Sequence, residues 1–454
     1  MKAKLTFAGG TGGPTGANFL FETASGKKIL IDCGLTQGNE ENESLNRQPF
    51  AYDPASVDVL FVTHAHIDHI GRIPFLVKNG FRGKIYSTPP TRELAEPMLE
   101  DALGVMIHEE KKRGVEPLYD AVDIRQALSL WQGVDYRKEI HVSDDLVIVF
   151  HDAGHILGSA MVEVRYGKKK MLFTGDLGNS PSPLLRDTEF VPDIDYLLME
   201  SVYGDREHEA RDERQMLLAD AIQDAVKKKG VLLIPVFSLE RTQDILFEIN
   251  ELVESGKLPE VPVFLDSPLG IKVTEIYKKN EKYFNANAQA VIHGGDDIFR
   301  FPRLRFTEKV EDSKAIMGVH PPKIILAGSG MSNGGRILHH EKEYLSDPKT
   351  TLLFVGYQAV GTPGRLLENG EKNIRIIGED IRVKAHVVTI HGYSAHRDTN
   401  GLFDFVDDMK DTVQKVFVVM GEPKSSTFLA QRLHEYLGLN AVVPGLGESV
   451  TLEF

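Results

Sequence analysis

The sequence predicts an α/β protein in which a strand-rich part is interrupted by a block of alternating strands and helices. Three observations predict it. The first 200 residues carry a series of short apolar or alternating runs, each stopping at a Gly, Asp or His cluster. From about Asp205 the rhythm becomes strand, helix, strand, helix. Beyond about residue 384 the chain returns to short strands with two further helical patterns.

In order, the first part reads as strands at KLTFAGG, NFLFET, KKILIDCG, VDVLFVTH and GKIYST, and helices at TRELAEPMLEDALGVMIHEEKKR and VDIRQALSLWQG. Strands follow at DLVIVFHDAGH, AMVEVRYG, KKMLFTGDLG and YLLMES. In the middle block, RDERQMLLADAIQDAVKKKG is helical, VLLIPVF a buried strand, LERTQDILFEINELVESG helical and VPVFLD a strand. KIILAGSG then leads into RILHHEKEYL, and TTLLFVGY towards RLLENG. Such alternation implies parallel βαβ units and a sheet of their own. The last part holds VKAHVVTIHGYSAH, the helix GLFDFVDDM, the strand KVFVVMG and the helix TFLAQRLHEYLG. The predicted domains are therefore 1–204 and 385–454 as two pieces of one domain, with 205–384 inserted between them.

With 52 Lys and Arg against 66 Asp and Glu, the chain of 454 residues carries a formal charge of −14. That argues against a domain held on nucleic acid by bulk positive charge, but not against basic groups in a local groove. Cys33 is the one cysteine, so no cysteine cluster can hold a metal, which leaves His, Asp and Glu. No apolar stretch is long enough to span a membrane, so a cytoplasmic protein with no membrane partner is expected. The glycine loop GGTGGPTG lacks the Lys-Ser/Thr of a phosphate-binding P-loop and lies between two strands, which argues against nucleotide binding.

The sharpest signal is His64-Ala65-His66-Ile67-Asp68-His69, directly after the strand VLFV. In extended backbone His64 and His66 project to one side and can share a metal ion, while Asp68 and His69 turn the corner. Two further candidates follow strands: His155 in DAGHILGSA and Asp176 in MLFTGDLG. Neutral imidazole and carboxylate are suitable zinc ligands, and a bridging carboxylate can hold two ions. Singly, each of these residues would more often be structural; in combination they point to a metal centre.

Asp32 in ILIDCG, the hexad at 64–69, His155 and Asp176 match, in order, successive motifs of the metallo-β-lactamase superfamily, which the sequence resembles. The resemblance implies an αββα sandwich in which His64, His66 and His155 hold one Zn²⁺, Asp68 and His69 the second, and Asp176 bridges. Asp32 would support these ligands from behind. LLMESVYGDREH, with Glu200, and HGYSAHRD, with His396, are similar to motifs of the β-CASP branch, whose members process nucleic acids, and so imply a β-CASP domain as the inserted block. One position departs from the pattern. A histidine expected in the strand-ending segment near 420 is Met420 here, in VFVVMGEPK, and a thioether is a weak ligand for Zn²⁺. The second site is therefore expected to bind more weakly.

The implied activity is hydrolysis of phosphodiester bonds in single-stranded RNA by a metal-activated hydroxide. Asp68, Glu200 and His396 form the catalytic set, with His396 as general acid and Glu200 orienting it. His391, nearby, reads as structural. Substrate contacts are expected from Arg241 in PVFSLERTQ, Ser329, Gly330 and Arg336 in GSGMSNGGR, and Arg365 in GTPGR. Small residues beside a helix start and bidentate guanidinium groups suit phosphate oxygens; tight turns with surface arginines are the plain alternative. Single-stranded RNA is the expected partner, and a homodimer is a state common among such enzymes. Two rivals stay open: a metallo-hydrolase acting on DNA or a small phosphodiester, and a non-catalytic RNA-binding scaffold of the same fold.

Overall fold

Along Lys2–Phe7, Ala3, Leu5 and Phe7 are buried while Lys2 and Lys4 face solvent, the period-two pattern of a strand with one wet face. This strand belongs to a computed structural model that describes residues 1–38, 44–209 and 211–454. It pairs antiparallel with Phe19–Thr23 and Ser449–Glu453. Lys28–Ile31, Val59–Phe61, Lys84–Ser87 and Trp131–Gly133 extend the sheet to seven strands, the last three added in parallel. A second seven-stranded sheet runs, in spatial order, Ala441–Val442, Lys415–Val418, Tyr196–Met199, Lys169–Phe173, Ala160–Tyr166, Leu146–Asp152, Glu139–Ser143.

The two sheets face one another across a core to which the first gives Phe7, Phe21, Ile29 and Phe61. The second gives Phe150, Val162, Phe173, Leu198 and Phe417. Alternate residues of the second sheet, including Leu172, Leu197, Val416 and Val418, point the other way. They pack on Leu402 and Phe405 of the helix Thr399–Asp407 and on Leu429 and Leu433 of the helix Pro423–Leu437. Helices Ile73–Lys78, Pro89–Arg113 and Ala121–Ser129 lie beside the first sheet and bury Leu76, Leu94, Leu99 and Ile124. Helix, sheet, sheet, helix is the αββα sandwich expected. The unit so formed comprises Met1–Ser182, Arg186–Glu207 and His396–Phe454.

Pro183–Leu185 and His208–Ala395 form the second unit. Its sheet is parallel throughout, in the order Leu304–Phe306, Val263–Asp266, Lys323–Ala327, Val231–Pro235, Thr351–Phe354, His386–Thr389. Val231–Pro235 and Lys323–Ala327 are buried along their whole length, as central parallel strands covered on both faces must be. The boundary placed at 384 by the sequence falls at Ala395 instead. The reason is a strand pairing: His386–Thr389 binds alongside Thr351–Phe354 and completes this sheet, so residues 385–395 belong to the inserted unit.

Candidate metal centre

All nine titratable residues singled out for metal binding or proton transfer sit in the first unit, most of them just after strands. Asp32 follows Lys28–Ile31 in a left-handed conformation, φ 60°, that Asp tolerates better than most residues. The turn aims its carboxylate at the residues after Val59–Phe61. The Thr63 amide donates to Oδ1 at 2.8 Å, and the Thr63 hydroxyl to Oδ2 at 2.8 Å. His69 Nδ1 also lies 2.8 Å from Oδ2. Because the Thr63 hydroxyl proton is given to a carboxylate, its oxygen must accept from His64 Nδ1, 3.0 Å away. Both histidines are thereby fixed with Nε2 turned away from Asp32.

His64 Nε2 meets three further ligand atoms. Ligand atoms of His64, His66, His155 and Asp176 all lie within 4.8 Å of one another. His64 Nε2 is 3.1 Å from His66 Nδ1, and His155 Nε2 is 3.3 Å from the same atom. Asp176 Oδ2 lies 3.4 Å from His64 Nε2 and 3.5 Å from His155 Nε2. Burial first, then neighbouring imidazoles, lower the pKa of His64, and of His66 and His155 further, so all three are held neutral as metal ligands require.

Beside this group, His69 Nε2 and Asp176 Oδ1 are 3.4 Å apart, and Asp68 Oδ2 is 3.8 Å from His69 Nε2. His69 Nε2 and Asp176 Oδ1 are both buried with no hydrogen-bond partner among the described residues. Two orphaned buried donor atoms facing one place fit a cation bound there. Although burial opposes a charged His69, the Asp176 and Asp32 carboxylates push its pKa well up. The second group of donors thus has its own strong electrostatic demand for positive charge.

Local sequence explains how the distant ligands arrive. After Leu146–Asp152, Gly154 at φ 66° turns the chain where a Cβ would strike the Arg186 carbonyl at 2.7 Å. The Ser159 hydroxyl then accepts from the amides of His155 and Ile156 at 3.0 and 3.2 Å, pinning the ligand loop. Asp176 follows Lys169–Phe173, and Glu200 follows Tyr196–Met199. Glu200 is fully buried, accepts the Leu177 amide at 2.6 Å, and stands 3.1 Å through each oxygen from His396 Nδ1. His396 is seated by a β-bridge to Gly178, and its neighbour Arg397 donates to the Gly178 carbonyl at 3.0 Å. Burial disfavours a charged His396, but Glu200 and Asp176 outweigh it and raise its pKa to about 9. With Nδ1 committed to Glu200, the proton on Nε2 is the one His396 can give away.

Met420 packs in the core between the two sheets and lines, with His69, Asp32, Thr63, Phe19 and Phe173, a cavity of about 10 Å³. Its sulfur sits where a Cβ on Gly10 would be 2.8 Å away. Ser329, Gly330 and the three arginines lie in the inserted unit. Arg241 is buried, donates to the Tyr393 carbonyl and pairs with Asp244 at 2.7 Å. Arg336 reaches Asp266 at 2.6 Å and the Thr307 carbonyl at 2.7 Å. Both guanidinium groups therefore serve this unit's own packing. Ser329 bonds to Asn333 at 2.6 Å, Gly330 lies against the Phe237 ring, and Arg365 lies over Tyr357 and beside Glu368. Sequence reasoning missed Thr63 and Ser159, although a hydroxyl residue next to, or four residues after, a ligand histidine was a visible signal.

Family models match along the chain: the metallo-β-lactamase superfamily over residues 12–235, the Beta-Casp domain over 242–367, and the Zn-dependent metallo-hydrolase RNA specificity domain over 380–444. Ribonuclease TTHA0252 of Thermus thermophilus is 37% identical over 410 residues, covering 90% of this chain and 91% of that protein. Transcription termination factor FttA of Methanosarcina mazei is 32% identical, covering 92% of this chain and 67% of that one. A crystal structure of a protein of unknown function from Enterococcus faecalis V583 shares the fold, with a TM-score of 0.55 at 12% identity over the whole of both chains. The fold of the family binds divalent metal, and the His and Asp cluster is where these residues could hold it. Matched over nine-tenths of its length by the Thermus protein, the chain belongs to the β-CASP family of metallo-β-lactamase-fold hydrolases.

Proposed function

We propose that this protein is a zinc-dependent ribonuclease that hydrolyses phosphodiester bonds of single-stranded RNA. The observation that carries the reading is His396, its Nδ1 held by buried Glu200 and 3.9 Å from Asp176, beside the group of candidate ligands that includes Asp176. A relative named a ribonuclease and a match to an RNA specificity domain favour RNA over DNA or a small phosphodiester. A scaffold that had abandoned catalysis would have no need of a proton donor and its carboxylate partner in register with a ligand set that departs from the pattern at position 420 alone.

His64, His66 and His155 would hold one Zn²⁺, Asp68 and His69 a second, with Asp176 shared. Nitrogen and oxygen donors without thiolate suit that ion. When bound, the two cations supply an acidified water and positive charge for the phosphate oxygens. Asp32 and Thr63 hold His64 and His69 in the required tautomers. Glu200 keeps Nδ1 of His396 occupied, so that Nε2–H protonates the leaving oxygen. Ser329, Gly330 and Arg365 are the substrate contacts we retain; Arg241 and Arg336 brace their loops. With a thioether at 420, the second Zn²⁺ binds more weakly. A cytoplasmic setting, in keeping with buried, unpaired Cys33, and a homodimer complete the reading. No helix among the described residues is long and apolar enough to cross a membrane.

The test is cleavage of a 5′-labelled single-stranded RNA by the zinc-loaded protein, with a chelator and His396→Ala as parallel arms. Cleavage lost in both arms is expected. Intact RNA after incubation with folded, metal-loaded wild type would overturn the reading.

A further inference from the structure

The helix Pro89–Arg113 starts with two fully buried threonines whose hydroxyls leave the helix. Thr88, the residue before it, takes the Thr91 amide on its side-chain oxygen, an ordinary capping bond that uses no hydroxyl proton. That proton goes to the Gly158 carbonyl, 2.5 Å away, and the Thr91 hydroxyl donates to the same carbonyl oxygen at 2.9 Å. The two threonine oxygens are 3.0 Å apart, but the shorter contact takes the Thr88 proton to the carbonyl. Gly158 belongs to the loop that carries His155, between the strands Leu146–Asp152 and Ala160–Tyr166. At φ 78° it makes room for the contact: a Cβ there would lie 2.8 Å from Pro90 and from Thr88 Oγ1.

A carbonyl oxygen offers two lone pairs, and one donor is enough to satisfy it when buried. The second donor adds direction: with both lone pairs taken, the peptide plane between Gly158 and Ser159 cannot swivel. Its other end is held as well, since the Ser159 amide donates to the Ile156 carbonyl at 2.9 Å. This plane fixes the Ser159 side chain, whose oxygen takes the amides of His155 and Ile156. One residue on, the Ala160 amide donates to the Thr63 carbonyl at 2.8 Å and ties the loop to the strand end that precedes His64. Thr88 is itself anchored: its carbonyl accepts the Ser87 hydroxyl at 2.9 Å, and Ser87 Oγ takes the Trp131 indole N–H at 2.8 Å. An unbroken line of buried hydrogen bonds therefore runs from Trp131 to the backbone of His155. We propose that the paired hydroxyls of Thr88 and Thr91 are positioning groups for the metal centre, which set where the His155 imidazole stands relative to His64 and His66 and hence how tightly these three histidines hold an ion. The proposal rests on the reading above that the three share one Zn²⁺. Loss of an outer partner of a metal ligand weakens metal binding although no ligand is removed.

The experiment titrates zinc into the stripped full chain against a chromophoric chelator, as wild type, Thr91→Val and Thr91→Ser. Valine keeps the shape of threonine and leaves the Gly158 carbonyl its bond from Thr88, so the metal-free melting temperature should fall by no more than about 4 °C. The tighter zinc should nevertheless bind about tenfold more weakly, and Thr91→Ser, which keeps the hydroxyl, should stay within about threefold of wild type. One equivalent of Co²⁺ in place of zinc reads the ligand geometry directly: its visible absorption should shift in Thr91→Val and match wild type in Thr91→Ser. Thr91→Ala against Thr91→Ser removes the same hydroxyl without setting a methyl group beside the carbonyl, and the same tenfold difference is expected, which keeps the test decisive if the valine protein does not fold. Tight-site affinity unchanged in Thr91→Val would overturn the proposal and leave the metal centre standing. An equal loss in Thr91→Ser would assign the effect to the methyl group, and a loss confined to the weaker zinc would place it at the wrong site; either result overturns the proposal. A folded wild type that binds no zinc would overturn the metal centre, and this proposal with it.

Discussion

Replacing Met420 by histidine tests the metal centre where the chain departs from its family's pattern. Met420 is 2% exposed and sits at φ 50°, a left-handed backbone in which histidine is more at home than methionine. The second group of donors consists of Asp68, His69 Nε2 and Asp176 Oδ1, and Met420 shares the small cavity behind His69. An imidazole there adds a nitrogen donor to a site that has one. Losing even an outer partner of a metal ligand costs roughly 10–100-fold in affinity, so gaining a direct ligand should tighten the second Zn²⁺ by about 100-fold. Without metal, a polar ring beside Phe19, Phe173, Leu198 and Val419, in a cavity whose polar lining residues Asp32, Thr63 and His69 already bond to one another, should destabilise the fold by about 1–3 kcal/mol. Added zinc should reverse that loss, because it binds the folded form alone. The assay is competitive zinc titration of stripped protein against a chromophoric chelator, with metal content read by mass spectrometry. Wild type binding two equivalents equally tightly would refute the reasoning, as would Met420→His with an unchanged second affinity.

Three further outcomes are expected. His396→Ala should lower RNA hydrolysis by about 10²–10⁴-fold while bound zinc and melting temperature stay at wild-type values; a smaller loss would remove His396 as the acid. Asp32→Ala strands three buried donors, the Thr63 amide, the Thr63 hydroxyl and His69 Nδ1, and should cost about 3–5 kcal/mol in denaturant unfolding. It should also weaken zinc by about 10–100-fold, and a cost below about 1 kcal/mol would mean that Asp32 holds nothing. Away from the metal, His151 sits 2.7 Å from Glu163 and 3.2 Å from Glu189. Against the pull of burial, hydrogen bonds from His151 and from Arg165 or Arg137 hold both carboxyls near 2, below their usual 4.5. Their stabilisation is therefore full above pH 4.5 and lost as pH falls towards 2. His151 is raised above its usual 6.5 by the same pairs despite burial, so its share is full below 6.5 and lost as pH climbs past its folded value. The melting-temperature gap between wild type and Glu163→Gln should be widest between pH 4.5 and 6.5; a gap that does not vary with pH would contradict it.

What the sequence disclosed, and what it hid, follows from how far apart in the chain the interacting groups lie. The hexad at 64–69 was legible because its four ligands share one strand end and one helical turn, so spacing alone decides where they point. The parallel sheet of the inserted unit was legible because buried strands must read as unbroken apolar runs. His386–Thr389, with an exposed first residue and only half-buried successors, gave no such run, and its partner strand lies 35 residues upstream; hence the misplaced boundary. Glu200 and His396 are 196 residues apart, and only likeness to a family joined them before the structure set Nδ1 at 3.1 Å. The arginines show the same limit from the other side. A glycine-rich turn followed by Arg336 looks like a phosphate cradle until Asp266, 70 residues earlier, proves to hold its guanidinium. A side chain's chemistry is written in its residue type, but whether that chemistry faces a substrate or a neighbour is decided by a partner that local pattern does not name. Met420 shows the two separating. Its type announces a lost ligand, while its left-handed backbone still has the conformation that a histidine would use. In the proposed reading the second site keeps its scaffold without that donor, and for that reason supplying the donor by one substitution is expected to tighten the site.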